Sequence, residues 1–151
     1  MGPIQLRDQL IFDCPPADVF ALLANPETLP RWTESIVRAT RTSPTELAPG
    51  ATYALVGKSP FGEFPGTYRI TSYTPAESWS GQFEAAPFSF VESYTLRAIG
   101  NATELQMQTT LQPKGVLRPM LSLFRGAFEK QLKEDHRRAK RLLEGQRSSV
   151  V

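Results

Sequence analysis

The sequence predicts an α+β domain: a curved antiparallel sheet of about seven strands, two short helices after the first strand, and a long C-terminal helix against one sheet face. Three observations predict it. Turn-forming clusters recur at Ala48-Pro49-Gly50, Ser59-Pro60-Phe61-Gly62, Thr74-Pro75-Ala76, Ala85-Ala86-Pro87 and Gly100-Asn101, which is how an antiparallel meander is punctuated. Between them apolar and polar residues alternate, so one sheet face is apolar and the other wet. Beyond Gln112-Pro113-Lys114-Gly115 the period changes, and Leu117, Leu121, Phe124, Phe128, Leu132, Ala139 and Leu142 recur at helical spacing.

Ile4, Leu6, Leu10 and Phe12 alternate with polar residues in the first strand, which Cys14-Pro15-Pro16 ends. Asp18 to Ala24 is a helical run stopped by Asn25-Pro26, because the residue before proline disfavours the helical region, and a second helical turn covers Glu27 to Trp32.

A two-residue hairpin at Gly100-Asn101 sets Ile99 opposite Ala102, Leu96 opposite Leu105, Tyr94 opposite Met107 and Glu92 opposite Thr109. Carried back through the earlier turns, the register pairs Phe83 with Phe88, Trp79 with Glu92, Tyr68 with Phe83 and Tyr53 with Tyr68. The final helix should span about 28 residues, roughly 42 Å at 1.5 Å per residue, and needs a long apolar partner. The aromatic sheet face is the candidate. Residues 1–145 are read as one domain and 146–151 as a tail.

Composition excludes several function classes. The 151 residues are 40% hydrophobic, enough for one cored domain. The net charge of +2 comes mostly from a C-terminal segment where acidic and basic residues interleave, a pattern of a solvated helix face rather than a nucleic-acid surface. No run of about 18 apolar residues and no cleavable leader is present, so the expectation is a cytoplasmic protein with no integral membrane segment, as monomer or homodimer. Cys14 is the one cysteine and His136 the one histidine, too few for a usual transition-metal site, and no metal or other cofactor is expected. Neither a serine elbow nor a glycine-rich phosphate loop occurs.

The stretch Pro16-Ala-Asp-Val-Phe-Ala-Leu-Leu-Ala-Asn-Pro-Glu-Thr-Leu-Pro-Arg-Trp32, together with Tyr94-Thr-Leu-Arg97 and Thr103-Glu-Leu105 ahead of the long helix, resembles the SRPBCC or START-like superfamily, and within it the polyketide cyclase/dehydrase-like proteins. The resemblance covers nearly all of the chain. It implies the helix-grip fold and a hydrophobic cavity between sheet and C-terminal helix that takes a lipid, polyketide or aromatic molecule. Fold alone does not choose between carriage and catalysis.

The aromatic face and the helix stripe nominate Trp32, Tyr53, Tyr68, Trp79, Phe83, Phe90, Glu92, Tyr94, Met107, Phe124 and Phe128 as ligand-binding residues. Glu92, the one carboxylate on the predicted inner face, is the candidate catalytic residue unless the register fails there and it lies on the rim; inside, its loss of water should raise its pKa unless an arginine or a tyrosine hydroxyl compensates. The expected function is binding of a hydrophobic small molecule. The alternative is a cyclase, dehydratase or aromatase using Glu92 and pocket tyrosines as acid and base. A protein-interaction module is a third reading, which a closed, solid interior would favour. His136 is expected at the edge of the helix stripe in a surface or boundary role rather than as a general base, and Asp135, inside the stripe, either beyond the cavity's end or paired with an arginine or a backbone group.

Overall fold

Local sequence chemistry sets the element boundaries. In the computed structural model, which describes residues 3–59, 62–86, 88–114, 119, 123 and 125–148, the strands are β1 (Ile4–Phe12), β2 (Ile36–Arg41), β3 (Thr52–Ser59), β4 (Gly62–Thr74), β5 (Ser78–Ala85), β6 (Phe88–Ile99) and β7 (Ala102–Pro113). Helix α1 (Pro16–Leu23), a 3-10 turn (Pro26–Thr28) and α2 (Leu29–Trp32) lie between β1 and β2, and α3 (Arg125–Ser148) closes the chain. Pro16 starts α1 because its fixed φ is already helical and its missing N–H would have had no partner there. Asn25 ends the following loop by accepting the Glu27 amide on its side chain at 3.0 Å.

The sheet is antiparallel in the order β1-β7-β6-β5-β4-β3-β2. Strands β2 to β7 form the meander, and β1 joins the outer edge of β7. The two consecutive strands β1 and β2 therefore occupy opposite edges, and the α1–α2 segment carries the chain between them. This is the helix-grip architecture that the turn pattern and the final helical period predict.

The β6–β7 register agrees with the hairpin argument at every pair it specified, from Ile99 opposite Ala102 to Glu92 opposite Thr109. Gly100 supplies the positive φ, +60°, that the turn requires. Tyr53 opposite Tyr68 and Tyr68 opposite Phe83 also hold. The β5–β6 register differs by two residues: Phe83 faces Phe90 and Trp79 faces Tyr94, so Gly81 rather than Trp79 lies opposite Glu92. A slip of two preserves the sheet face, which is why the inner-face assignment survives the wrong pairing. An irregularity between Ile70 and Ser72 shifts the later part of β4 and turns Tyr73 inward, its ring 5.0 Å from Phe20.

The free edge of β1 is tied to the last helix. Arg125 donates to the Gln5 carbonyl at 2.9 Å, Lys140 to the Ile11 carbonyl at 2.7 Å, and the Asp13 amide donates to Glu144 at 3.2 Å. Helix α3 runs to Ser148, past Leu142 where its apolar spacing ends. The expected helix positions Leu117, Leu121 and Phe124 lie outside the described residues. No helix among the described residues is long and apolar enough to cross a membrane.

Candidate functional site

Cross-strand pairing arranges the inner face in rows. One row runs Trp79–Tyr94–Met107–Asp8 across β5, β6, β7 and β1. The next runs Gly81–Glu92–Thr109–Leu6, and the one after it Phe83–Phe90–Leu111–Ile4. The middle row is made of small or short side chains at two of its four positions. Between it and α3 the interior stays open.

The opening is a cavity of about 320 Å³. Its sheet wall comes from Leu55, Phe64, Tyr68, Phe83, Phe88, Phe90, Glu92, Tyr94, Thr109, Leu111 and Leu6. Phe128, Gln131, Leu132 and Asp135 of α3 cover it, Leu29 and Trp32 close the α2 side, and the exposed residues Ser35, Lys58 and Ser59 mark its rim. The volume lies at the lower end of the roughly 300–1,000 Å³ common for small-molecule pockets, and the lining is mainly apolar and aromatic with few polar groups.

Two of the hydrogen-bonded sets at the cavity hold its tyrosines. In the first, the Tyr68 hydroxyl donates to Glu92 Oε1 at 2.7 Å. Tyr68 reaches Glu92 by crossing above Gly81, where an added Cβ would collide with the Tyr68 hydroxyl and ring. A side chain at position 81 would push the two apart. Burial raises the Glu92 carboxyl to about 7, against the lowering effect of the Tyr68 hydrogen bond. Burial also pushes the Tyr68 phenol well above its ordinary range, and the neighbouring Glu92 adds to this.

The second set joins two strands and the helix. His136 Nδ1 lies 2.7 Å from Asp8 Oδ2 and its Nε2 lies 2.9 Å from the Tyr94 hydroxyl. Burial alone would raise the Asp8 carboxyl, but the His136 contact, the Gln9 amide and Arg137 together hold it below the usual carboxylate range. The Tyr94 phenol is pushed well up, chiefly by burial.

Of the residues nominated from the sequence, Trp32, Tyr68, Phe83, Phe90, Glu92, Tyr94 and Phe128 line the cavity. Tyr53, Trp79 and Met107 do not, and this corrects the expectation for them. Tyr53 is packed with Leu55, Tyr68 and Ile70 in solid core. Trp79 stacks on Tyr94 with ring centroids 4.5 Å apart and meets Phe20 of α1 edge-on, so α1 fills the space in front of it. Met107 sits between Tyr94 and Asp8 in their row, beneath His136. Phe124 lies outside the described residues.

The surface or boundary role expected for His136 is also overturned, since its side chain is 0% exposed. The signal that could have found it is Asp8, which occupies an inward position of β1 between Leu6 and Leu10 and must have a buried partner. Of the two places left open for Asp135, the structure shows the paired one, at the cavity rather than beyond its end. Asp135 accepts from the Glu34 amide, Gln131 and Arg138, and burial still leaves its carboxyl raised. Among the described residues no group of three or more His, Cys, Asp or Glu side chains gathers as a metal site would.

Residues 3–144 match the family described as "Polyketide cyclase / dehydrase and lipid transport". An uncharacterized protein of Mycobacterium tuberculosis (strain H37Rv) is 27% identical over 128 residues, 82% of this chain and 75% of its own length. Among solved structures, TTHA0849 from Thermus thermophilus superposes with a TM-score of 0.78 at 10% identity, covering 95% of this chain and 99% of that one. Ara h 8.0201 gives 0.74 at 12% identity over 95% and 99%. The di-domain ARO/CYC StfQ from the steffimycin biosynthetic pathway gives 0.77 at 12% identity, covering 97% of this chain but 52% of that one. At these identities the structural likeness speaks for the fold.

Proposed function

Since the chain belongs to the polyketide cyclase/dehydrase and lipid transport family, we propose that it binds one small, largely apolar molecule in the cavity beneath α3, in a single domain over residues 1–145. One observation carries this reading: an aromatic-lined space of about 320 Å³ that contains a hydrogen-bonded Tyr68–Glu92 pair and opens to a polar rim. An interior meant only for stability would gain by filling that space, because a void forfeits packing.

Nile red titration tests it. The wild type should show saturable one-to-one binding, and Leu132→Trp, which projects bulk into the cavity from α3, should lose it while far-UV circular dichroism is retained. A folded wild type with no saturable binding would overturn the reading.

Glu92 favours a second reading, catalysis. A carboxyl titrating near 7 is suited to proton transfer at neutral pH, where both of its forms are populated. In this reading the ionised Glu92 removes a proton from carbon next to a ligand carbonyl, as an early step of cyclisation or dehydration. The α-hydrogens of 2-acetonaphthone should then exchange with D2O faster in the presence of the protein, the rate per bound ligand rising through pH 7. Exchange no faster than in buffer, or undiminished in Glu92→Gln, removes catalysis by this group.

A further inference from the structure

Counting protons in the cavity wall gives the chemistry of the group it would take. Tyr68 commits its O–H to Glu92, Thr109 its O–H to the Val91 carbonyl at 3.2 Å, and Trp32 its N–H to Thr28 at 3.3 Å. Gln131 commits one amide N–H to Asp135 at 2.9 Å.

Tyr94 is governed by the histidine behind it. The ionised Asp8 requires the His136 hydrogen on Nδ1, so a neutral imidazole offers Nε2 as an acceptor and takes the Tyr94 O–H. Lone pairs are then what Tyr94 and Tyr68 have left to offer. Glu92 has Tyr68 as its hydrogen-bond partner through Oε1. Every buried side-chain polar atom among the described residues has a partner, so its other oxygen is open to the cavity.

Two carboxylates, Glu92 and Asp135, therefore face a space in which the hydroxyls of Tyr68, Tyr94 and Thr109 already donate elsewhere, with Ser35 at the exposed rim. Gln131 keeps a second amide hydrogen, on the nitrogen that already donates to Asp135, and the cation Lys58 stands out at the exposed rim.

We infer that the cavity accepts hydrogen bonds rather than donating them, so that it takes an apolar molecule bearing a hydroxyl or N–H and discriminates against one bearing a carboxylate. The inference rests on the proposed ligand cavity and adds the polarity of what enters it. A carboxylate in the interior would meet Glu92 and Asp135 with no committed donor of its own, whereas a hydroxyl would complete Glu92.

Protonation weakens the preference. Adding a proton to Glu92, whose neighbours are Tyr68 from β4, Tyr94 from β6, Thr109 from β7, and Gln131 and Asp135 from α3 with Lys58 at the rim, turns one acceptor into a donor.

The experiment displaces Nile red from the whole chain with three probes on one skeleton: 2-naphthol, 2-methoxynaphthalene and 2-naphthoate. At about pH 8, naphthol should bind at least tenfold more tightly than either of the others, the size of effect expected for a hydrogen bond to a charged acceptor. At about pH 5.5 its advantage over methoxynaphthalene should narrow. Glu92→Gln, whose amide oxygen accepts from Tyr68 while its N–H₂ turns to the cavity, should show the narrowed pattern at both pH values.

Equal binding of the three probes at pH 8, tightest binding of naphthoate, or an unchanged naphthol advantage in Glu92→Gln would overturn the inference while saturable Nile red binding leaves the proposed cavity function standing. If neither Nile red nor any naphthalene binds, both fall.

Discussion

Two neighbouring rows of the same sheet face end in opposite ways. Trp79–Tyr94–Met107–Asp8 is covered by α1 and the middle of α3, and of its members Tyr94 reaches the cavity. Gly81–Glu92–Thr109–Leu6, two residues along each strand, borders a cavity. Both rows alternate correctly and belong to the same strands. What separates them is side-chain size and what lies above: an indole and a phenol with a helix packed on them in one, a glycine and a threonine under a thinner cover in the other. Inward-facing position tells which residues leave water, but the volumes along a cross-strand row decide whether the space fills.

The largest test of this contrast is Trp79→Ala. Loss of a stacked, buried indole should destabilise the fold by about 3 to 5 kcal/mol in urea melts. A cost under about 1 kcal/mol would mean that the covered row is no more tightly packed than the open one.

His136→Leu should cost about 3 kcal/mol at neutral pH, because it leaves the Asp8 carboxylate buried beside an apolar group. The pH dependence has a definite sign. Asp8 is held below its ordinary range in the folded protein, so its contribution is present above the unfolded carboxylate pKa and disappears as pH falls through the folded one. The variant's deficit should therefore shrink on acidification. A deficit independent of pH would assign it to lost packing.

In the open row the charge has the opposite sign of effect. Glu92 titrates at about 7 in the fold against an ordinary 4.5, which favours the folded state less and less as pH rises between those values. Glu92→Gln should accordingly stabilise the protein at pH 8 and change little at pH 4. The gain at pH 8 should reach up to about 3 kcal/mol, since each pH unit between the folded and unfolded values is worth about 1.36 kcal/mol. Urea melts at the two pH values read this directly, and a loss of stability at pH 8 would contradict it.

The smallest effect is expected at the cavity wall. Phe90 is half-buried and packs on Phe83, with its remaining surface toward the open space. Phe90→Ala should cost only about 1 to 2 kcal/mol. A loss as large as that of Trp79→Ala would show that the wall is as tightly packed as the core.

The sequence made the architecture legible because its strongest signals are local. Gly100-Asn101 determined the β6–β7 pairing, and alternation determined the faces even where the β5–β6 register was off by two. What escaped was set by distant chain. The His136 partnership depends on β1, 128 residues away, so helix angle alone put the ring at a boundary. Tyr53, Trp79 and Met107 face inward like the true wall residues, and only the α1 packing and row volumes separate them. The role of Gly81 required knowing that Tyr68 crosses above it.

The attachment of α3 to the outer edge of β1 bears on how the molecule meets copies of itself. An unpaired strand edge invites a further strand, and chains that leave one open tend to stack. Here Arg125 and Lys140 occupy carbonyls that such a strand would use, and Glu144 takes an amide just beyond the strand's end. Sheet extension is thus obstructed on that side by the same helix that covers the interior. The opposite edge is β2, a strand of six residues carrying Arg38 and Arg41, short and charged enough to make a poor template. Loosening α3 would uncover the cavity and an unpaired strand edge together, so one helix closes off both.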